Sequence, residues 1–270
     1  MKNEFTAPQL SVADLSKSLY EVSMKLQKAN EDLQEKEQES AKFYANISHD
    51  LRAPITAISN SIEYLQTNKD IARDDLEETL NMMSGRISYL TRLINDIFLL
   101  ASLDTPSVSV HKELVSVRFF LEDFFYMAQA DTVYDDCDLS LDLDELFLEK
   151  NPMVEMDPQL MRRALENLFS NAKKYSLGRP QITLGATILE DGRLAVFVKD
   201  KGIGISSDKL DRIFERAYRI DNSRTPGGDN GSGFGLSIVK SIVELHDGIV
   251  TCKSFPEKGS TFFAIFNIEN

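Results

Sequence analysis

Residues 11–48 contain neither proline nor glycine, and within them Leu15, Leu19, Val22, Leu26, Ala29 and Leu33 recur at alternating spacings of four and three. On a helix such positions form one narrow apolar stripe, the seam of a coiled coil. The same register passes polar Lys36 and Ser40 and reaches Phe43 and Ile47, so one long helix is predicted to run into the stretch FYANISHDLRAPI at 43–55. A second series, Leu76, Leu80, Met83, Ile87, Leu90, Ile94, Ile97 and Ala101, follows the polar break QTNKDIARDD and predicts another long helix. Two striped helices in succession make an antiparallel hairpin, which alone leaves much of both stripes wet. Pairing two hairpins into a four-helix bundle covers them, and a homodimer is therefore predicted.

Composition narrows the remaining possibilities. With 270 residues, 42% of them hydrophobic, the chain can bury the core of one or two domains. A formal net charge of −13 opposes attraction to DNA, RNA or anionic lipid, so no nucleic-acid role is expected. The two cysteines, Cys137 and Cys252, lie far apart without metal-ligand spacing, and no signal-peptide pattern is present. They read as reduced structural residues. No run of about 18 apolar residues occurs, so no membrane span is expected in this chain.

After LDTPSVSV the periodicity changes. Residues 116–130 read as a helix, and LSLDLDE at 139–145 alternates like a half-buried strand. A further helix opens at Asp157, the N-cap, with Pro158 at its first position. QITLGATILE and RLAVFVKD are strand-like runs separated by the turn residues DGR. A polar, glycine-containing stretch at 206–232 precedes a helix at 233–246 and two final strands around GIVTCKSF and STFFAIFNI. Helices mixed with largely consecutive strands predict an α+β arrangement, a layer of helices on a mixed sheet, with a domain boundary at 104–112.

Four places in this sequence carry residues suited to chemistry. His49 is one of only three histidines and lies two residues from both Ile47 and Leu51. Those two apolar residues share a helix face, so His49 is predicted to point the opposite way, toward solvent. ENLFSNAKK sets Asn167 and Asn171 on one face with Lys174 about a turn further; amide oxygens suit Mg2+, and a lysine can offset phosphate charge. Taken alone, the asparagines also fit capping or surface positions. In VKDKGIGI, Asp200 could accept from the exocyclic amine of adenine while Gly202 and Gly204 let the backbone approach a flat ring; a plain turn after a strand fits equally. GDNGSGFGLSIVK places Gly231, Gly233 and Gly235 at a helix start, where free N–H groups favour phosphate. Other nucleotide schemes are absent: there is no G-x-x-x-x-G-K-[ST], no HRD and no DFG, and Leu236 stands where G-x-G-x-x-G needs its last glycine.

The order SHDLRAPI, ENLFSNAKKYS, DKGIGI, IFERAYR and GSGFGLSI resembles that of the bacterial sensor histidine kinases of two-component signalling. The resemblance runs from about residue 40 to 268 and implies two parts, a dimerisation and histidine phosphotransfer domain at 41–104 and an ATP-binding domain at 112–270. Residues 1–40 ahead of them are covered only as a generic coiled coil, read as a signalling helix. In outline, the ATP-binding domain is shared with gyrase, a heat-shock chaperone family and MutL ATPases. The resemblance implies that His49 accepts the phosphoryl group with Asp50 as its acidic partner. It assigns Mg2+ to Asn171 with Asn167 beside it, phosphate to Lys174 and Arg219, ring packing to Tyr175, and adenine to Asp200 with Gly202 and Gly204. Gly231, Gly233, Gly235 and Leu236 fall in the nucleotide loop, and 206–232 matches a mobile lid.

It further implies ATP and Mg2+ as cofactors, a response regulator receiver domain as partner, and a cytoplasmic location, either alone or as part of a larger membrane sensor. A gyrase-type ATPase or binding module with a hairpin used only for dimerisation is the alternative. Where the related ATPases carry a water-activating glutamate, this chain has Asn167, which favours the kinase. Family members that dephosphorylate their regulator usually carry threonine or asparagine four residues after the histidine; Ala53 stands there, so weak phosphatase activity is expected. His246 is expected to serve in capping or at a helix dipole, His111 to be solvated, and Pro54 to bend its helix near His49.

Overall fold

The structure is a computed structural model and describes residues 12–68, 70–103, 110–220 and 233–268. The chain divides into two compact units, Met1–Ala53 and Pro54–Asn270. The long helix predicted from the first heptad series is α1 (Val12–Thr67), whose first part carries the first unit. Pro54 stands inside it without ending it. Along α1, Val22, Leu26 and Leu33 of the predicted seam are exposed in the single chain; the side chains of Leu15 and Leu19 lie outside the described residues.

Within the second unit α1 closes on Asn68, whose backbone N–H and side-chain amide both donate to the Tyr64 carbonyl. Helix α2 (Arg73–Leu103) follows, with Asp74 and Asp75 in its first turn where the helix dipole favours negative charge. It carries two stripes. The predicted one is largely open, with Leu76, Leu80, Ile87 and Ile94 exposed. The second, Leu93, Asp96, Leu100 and Leu103, is buried, and α2 packs against the last helix of the chain, α6 (Gly235–Leu245). The predicted boundary at 104–112 falls mostly on residues outside the described ones.

The α+β region matches the predicted class. Strand β1 (Glu113–Ser116) pairs antiparallel with β3 (Met153–Met156) in a two-stranded sheet. The main sheet has the order β2-β4-β5-β7-β6, built from β2 (Asp138–Leu143), β4 (Gln181–Ile188), β5 (Leu194–Asp200), β6 (Ile249–Phe255) and β7 (Gly259–Phe266). Only the β2–β4 pair in that sheet is parallel. Helices α3 (Val117–Ala130), α5 (Pro158–Lys174) and α6 supply the second layer. Alternation decides which side chains meet them: Leu194, Val196 and Val198 on β5, and Phe262, Ala264 and Phe266 on β7, are buried. Asp200, in the same phase, is thereby carried to the helix-facing side at the end of β5.

One predicted element is corrected. The strand at 139–145 ends at Leu143, because Asp144 accepts from the Phe147 N–H at 2.7 Å and starts a short helix, α4 (Glu145–Lys150). The β1–β3 ribbon was also unforeseen, since four-residue strands are too short to declare a period. Cys137 and Cys252 are free thiols, and burial pushes their pKa values up to about 11 and about 12, as inert structural cysteines require.

His246 does cap, but not as a charge at a helix dipole. Its Nδ1–H donates to the Ile242 carbonyl at 2.7 Å, and Nε2 accepts the Asp157 N–H at 2.8 Å, a pattern only neutral imidazole satisfies. Asp157 in turn caps α5, accepting from Gln159 and Leu160, and its other oxygen accepts the N–H of exposed His111 at 3.1 Å. Burial lowers the His246 pKa, helped by the Lys112 charge and opposed by the Ile242 carbonyl, Asp157 and Asp247. As pH falls, the unfolded chain therefore takes up its proton first, near about pH 6.5. The stability due to neutral His246 is present above that pH and is lost as pH falls toward the lower folded-state value. Urea unfolding is expected to give lower stability at about pH 5.5 than at about pH 7.5, and His246→Gln is expected to narrow the difference. An undiminished difference in the variant would rule the histidine out as a source.

Candidate functional site

His49 lies on the exposed side of α1, opposite buried Ile47 and half-buried Leu51, as the spacing predicted. Its side chain is 53% exposed, and Nδ1 is 3.2 Å from Asp50 Oδ1, a carboxylate only 15% exposed. With Asp50 ionised, Nδ1 is the donor, which fixes the tautomer whose Nε2 carries the lone pair. Ala53, one turn further on, is also exposed.

The second region is a large pocket of about 1130 Å³ between α5, the end of β5 and the start of α6. The Asp157 cap and Pro158 set the start of α5, and its 3.6-residue period brings Asn167, Asn171 and Lys174 to the pocket wall together. Asn167 is unusual, for its Nδ2 is buried without a hydrogen-bond partner among the described residues. A Cβ on Gly235 would lie 3.3 Å from Asn167 Oδ1, so the start of α6 comes directly against this amide. Among the described residues no side chain caps that helix start, and first-turn N–H groups at such a start suit an anion. Lys174 holds its Nζ 5.0 Å from the centre of the Tyr175 ring, at the half-exposed C-cap of α5.

Asp200 is 5% exposed and lines the same pocket. Its Oδ1 accepts from the Gly202 N–H at 2.8 Å and the Ser260 N–H at 3.2 Å. Burial raises its pKa, and those two backbone donors oppose the rise. Sequence reading gave Gly202 and Gly204 to a ligand ring, but the fold itself demands them. A Cβ on Gly202 would meet the Tyr175 carbonyl oxygen at 2.3 Å, and one on Gly204 the Phe255 carbonyl oxygen at 1.9 Å. Gly204 lines the pocket with Ile203 and Ile205, whereas Gly202 acts behind it through its bond to Asp200.

Arg219, Gly233 and Leu236 also reach the pocket. Gly233 has φ +74, and a Cβ there would lie 3.2 Å from both Arg219 Cγ and the Tyr218 carbonyl, which places the two ends of the 220–233 segment side by side. Tyr218 is held by the Arg212 guanidinium 4.5 Å above its ring. Gly231 and residues 221–232 of the predicted lid lie outside the described residues.

Residues 39–106 match the His Kinase A (phospho-acceptor) domain, and residues 156–270 match the histidine kinase-, DNA gyrase B- and HSP90-like ATPase family. The chain belongs to the sensor histidine kinase family. A curated relative, sensor protein kinase WalK of Staphylococcus aureus (strain MRSA252), is 32% identical over 236 residues, covering 85% of this chain and 37% of the relative. The chain spans between 37% and 54% of the length of the curated relatives it matches first. The fold is similar to that of histidine kinase ThkA, solved in complex with the response regulator protein TrrA. That match has a TM-score of 0.67 and 19% identity, covering 91% of this chain and 67% of that one. It is also similar to the Acinetobacter baumannii histidine kinase AdeS, with a TM-score of 0.61 and 18% identity over 82% of this chain and 98% of that one.

For a sensor histidine kinase, some of the pocket wall comes from an unexpected place. Tyr89, Arg92, Leu93 and Asp96 of α2 line it, and Asp96, 3% exposed, is paired with Arg163 of α5 at 2.7 Å. The signal was present as the 3-4-3 spacing of 93, 96, 100 and 103, overshadowed by the longer apolar series beside it. Thr132 to Asp136 also line the pocket, with Lys173 bonded to Asp136 at 2.6 Å, and no motif marked them.

The donor set fits a nucleotide and a hard cation. Among the described residues no cluster of three or more histidine, cysteine or carboxylate side chains could hold a metal by itself. A divalent ion here would need amide oxygens, waters and substrate phosphates, hard oxygen donors of the kind Mg2+ takes. Asn167 and Asn171 supply the amide oxygens, and Asn167 Nδ2, unpartnered among the described residues, is a donor that a phosphate oxygen rather than the ion would satisfy. Among the same residues no helix is long and apolar enough to cross a membrane.

Proposed function

We propose that this chain is an ATP-dependent protein-histidine kinase that phosphorylates His49 and passes the phosphoryl group to an aspartate of a response regulator. The observation that carries this reading is the exposed His49 imidazole held through Nδ1 by Asp50. Nε2 attacks the γ-phosphorus in line, the N–P bond forms, the bond to the β–γ bridging oxygen breaks, and ADP leaves. Asp50 balances the charge that the ring acquires and can take the Nδ1 proton. Asp200 accepts from the adenine amine, while Lys174 and Arg219 face the phosphates. Bound Mg2+, held by Asn167 and Asn171 with those phosphates, would neutralise charge on the transferring group. Asn167 offers an amide where a hydrolytic ATPase needs a base, which supports transfer to histidine over transfer to water.

The exposed stripes at Val22, Leu26 and Leu33 and at Ile87 and Ile94 support a homodimer through a four-helix bundle. We assign 1–40 to a signalling helix, 41–104 to the phosphotransfer hairpin and 112–270 to ATP binding. Incubation with γ-labelled ATP and Mg2+ tests the reading: label stable to base and labile to acid supports it. Steady release of phosphate without labelling would favour the gyrase-type ATPase instead.

Ala53 presents a methyl group one turn from His49, and a methyl group cannot orient a hydrolytic water. Slow dephosphorylation of the regulator is therefore expected, and Ala53→Thr is expected to raise it about tenfold in the presence of ADP, an effect of one added hydrogen bond. Equal rates for the two proteins, or fast dephosphorylation by the parent chain, would contradict this account of Ala53.

A further inference from the structure

We infer that Ser254 is a positioning residue for the purine-reading end of the pocket, holding Asp200 and the Ile203–Ile205 wall in register; the inference rests on the ATP reading above. Ser254 is 7% exposed on β6 and does not line the pocket. Its hydroxyl accepts the Ile205 N–H at 2.8 Å and donates to the Gly259 carbonyl at 2.9 Å. Ser260 Oγ lies 3.0 Å away, and with the Ser254 proton committed to Gly259, the Ser260 hydroxyl is the donor in that pair. One O–H and both lone pairs of Ser254 are thus in use, the full capacity of a hydroxyl.

Each of these three partners leads to the ring site. Ser260 gives its N–H to Asp200 Oδ1 and lines the pocket. Gly259, at φ +88, presses on the Asp200 backbone so closely that a Cβ would fall 2.0 Å from the Asp200 carbonyl oxygen. Ile205 lines the pocket beside Ile203 and Gly204. A single hydroxyl therefore ties the carboxylate that would read the amine to the wall that would cover the ring. Its removal leaves the Ile205 N–H and the Gly259 carbonyl without this partner, and lets that wall shift relative to Asp200.

A purely structural serine would lower affinity for every nucleotide by one factor. A positioning residue changes the preference for the 6-amino over the 6-oxo purine. Calorimetric titration of the whole chain with Mg-ATP and with Mg-GTP separates the two. Ser254→Ala is expected to weaken ATP about tenfold and GTP much less, compressing the ATP-to-GTP preference, an effect of the size of one buried hydrogen-bond network. Ser254→Thr, which restores the hydroxyl, is expected to recover the preference. Should the alanine variant fail to fold, Ser254→Cys fills the space with a weak hydrogen-bonding group and is expected to show the same compression. Unchanged preference in the folded variant, or equal loss for ATP and GTP, overturns the inference. Failure of the parent chain to bind ATP at all overturns instead the ATP reading on which it rests.

Discussion

Asp200→Asn is expected to weaken ATP binding about 10- to 100-fold while leaving the free protein at least as stable as the parent, the scale of a lost hydrogen bond to a charged group. Asparagine can keep an oxygen toward the Gly202 and Ser260 N–H groups, so the backbone around it has no cause to move. Its amide nitrogen would replace the other oxygen, and a donor cannot accept from an adenine amine. Stability follows the other sign. Burial raises the Asp200 pKa, so protonation is favoured more in the folded than in the unfolded chain. The stabilising contribution of such a group is present below the unfolded value and is lost as pH rises through the folded one. Neutral asparagine removes that loss, and the variant's advantage in thermal unfolding should grow from about pH 4 toward about pH 7. Undiminished ATP affinity would remove Asp200 from the proposed binding site.

Gly204→Ala is expected to have the largest effect on the fold. At φ +67 an L side chain is strained, and its Cβ would lie 1.9 Å from the Phe255 carbonyl oxygen, an atom of the backbone that cannot rotate aside. Strain plus overpacking amounts to about 3 kcal/mol or more, a fall in Tm of roughly 6–12 °C for a domain of this size. Gly192 supplies the control. It has φ +84 with nothing within 4 Å of its Cβ position, so Gly192→Ala bears only the conformational cost, about 1 kcal/mol. Equal Tm shifts in the two variants would show that the close approach to Phe255 is not what requires glycine at 204.

What could be read in the sequence was whatever repeats or caps locally. The α1 and α2 periodicities, the Asp157–Pro158 helix start and the alternating strands β4 and β5 are short-range patterns, and the structure places them as predicted. The outward aim of His49 followed from its phase relative to Ile47 and Leu51 alone. The features that were missed depend on contacts distant in sequence. Asp96 meets Arg163 across 67 positions, and the Asp157 N–H meets His246 across 89. No local period announces either pair, and a buried aspartate on a polar-looking helix gives no sign of its partner. Gly202 shows a subtler limit: the sequence singled it out beside a ligand ring, whereas the contact that demands glycine there is with the Tyr175 carbonyl, distant in sequence.

The sequence also understated how much of α2 belongs to the pocket proposed to take ATP. The long heptad series drew attention to one face, and Leu93, Asp96, Leu100 and Leu103 lie on another. α2 thus has two working faces, one open at Ile87 and Ile94, which suits the proposed dimer, and one packed on α6.

The central claim is that His49 is the phosphoryl acceptor, and mapping the label tests it most directly. The parent chain and His49→Ala are incubated with γ-labelled ATP and Mg2+, and the labelled peptide is identified under alkaline conditions that preserve phosphohistidine. The account predicts one labelled site, at His49, and no label above background in the variant, with ATP binding by the variant unchanged. Label retained in His49→Ala, or found on any other residue of the parent chain, would contradict it.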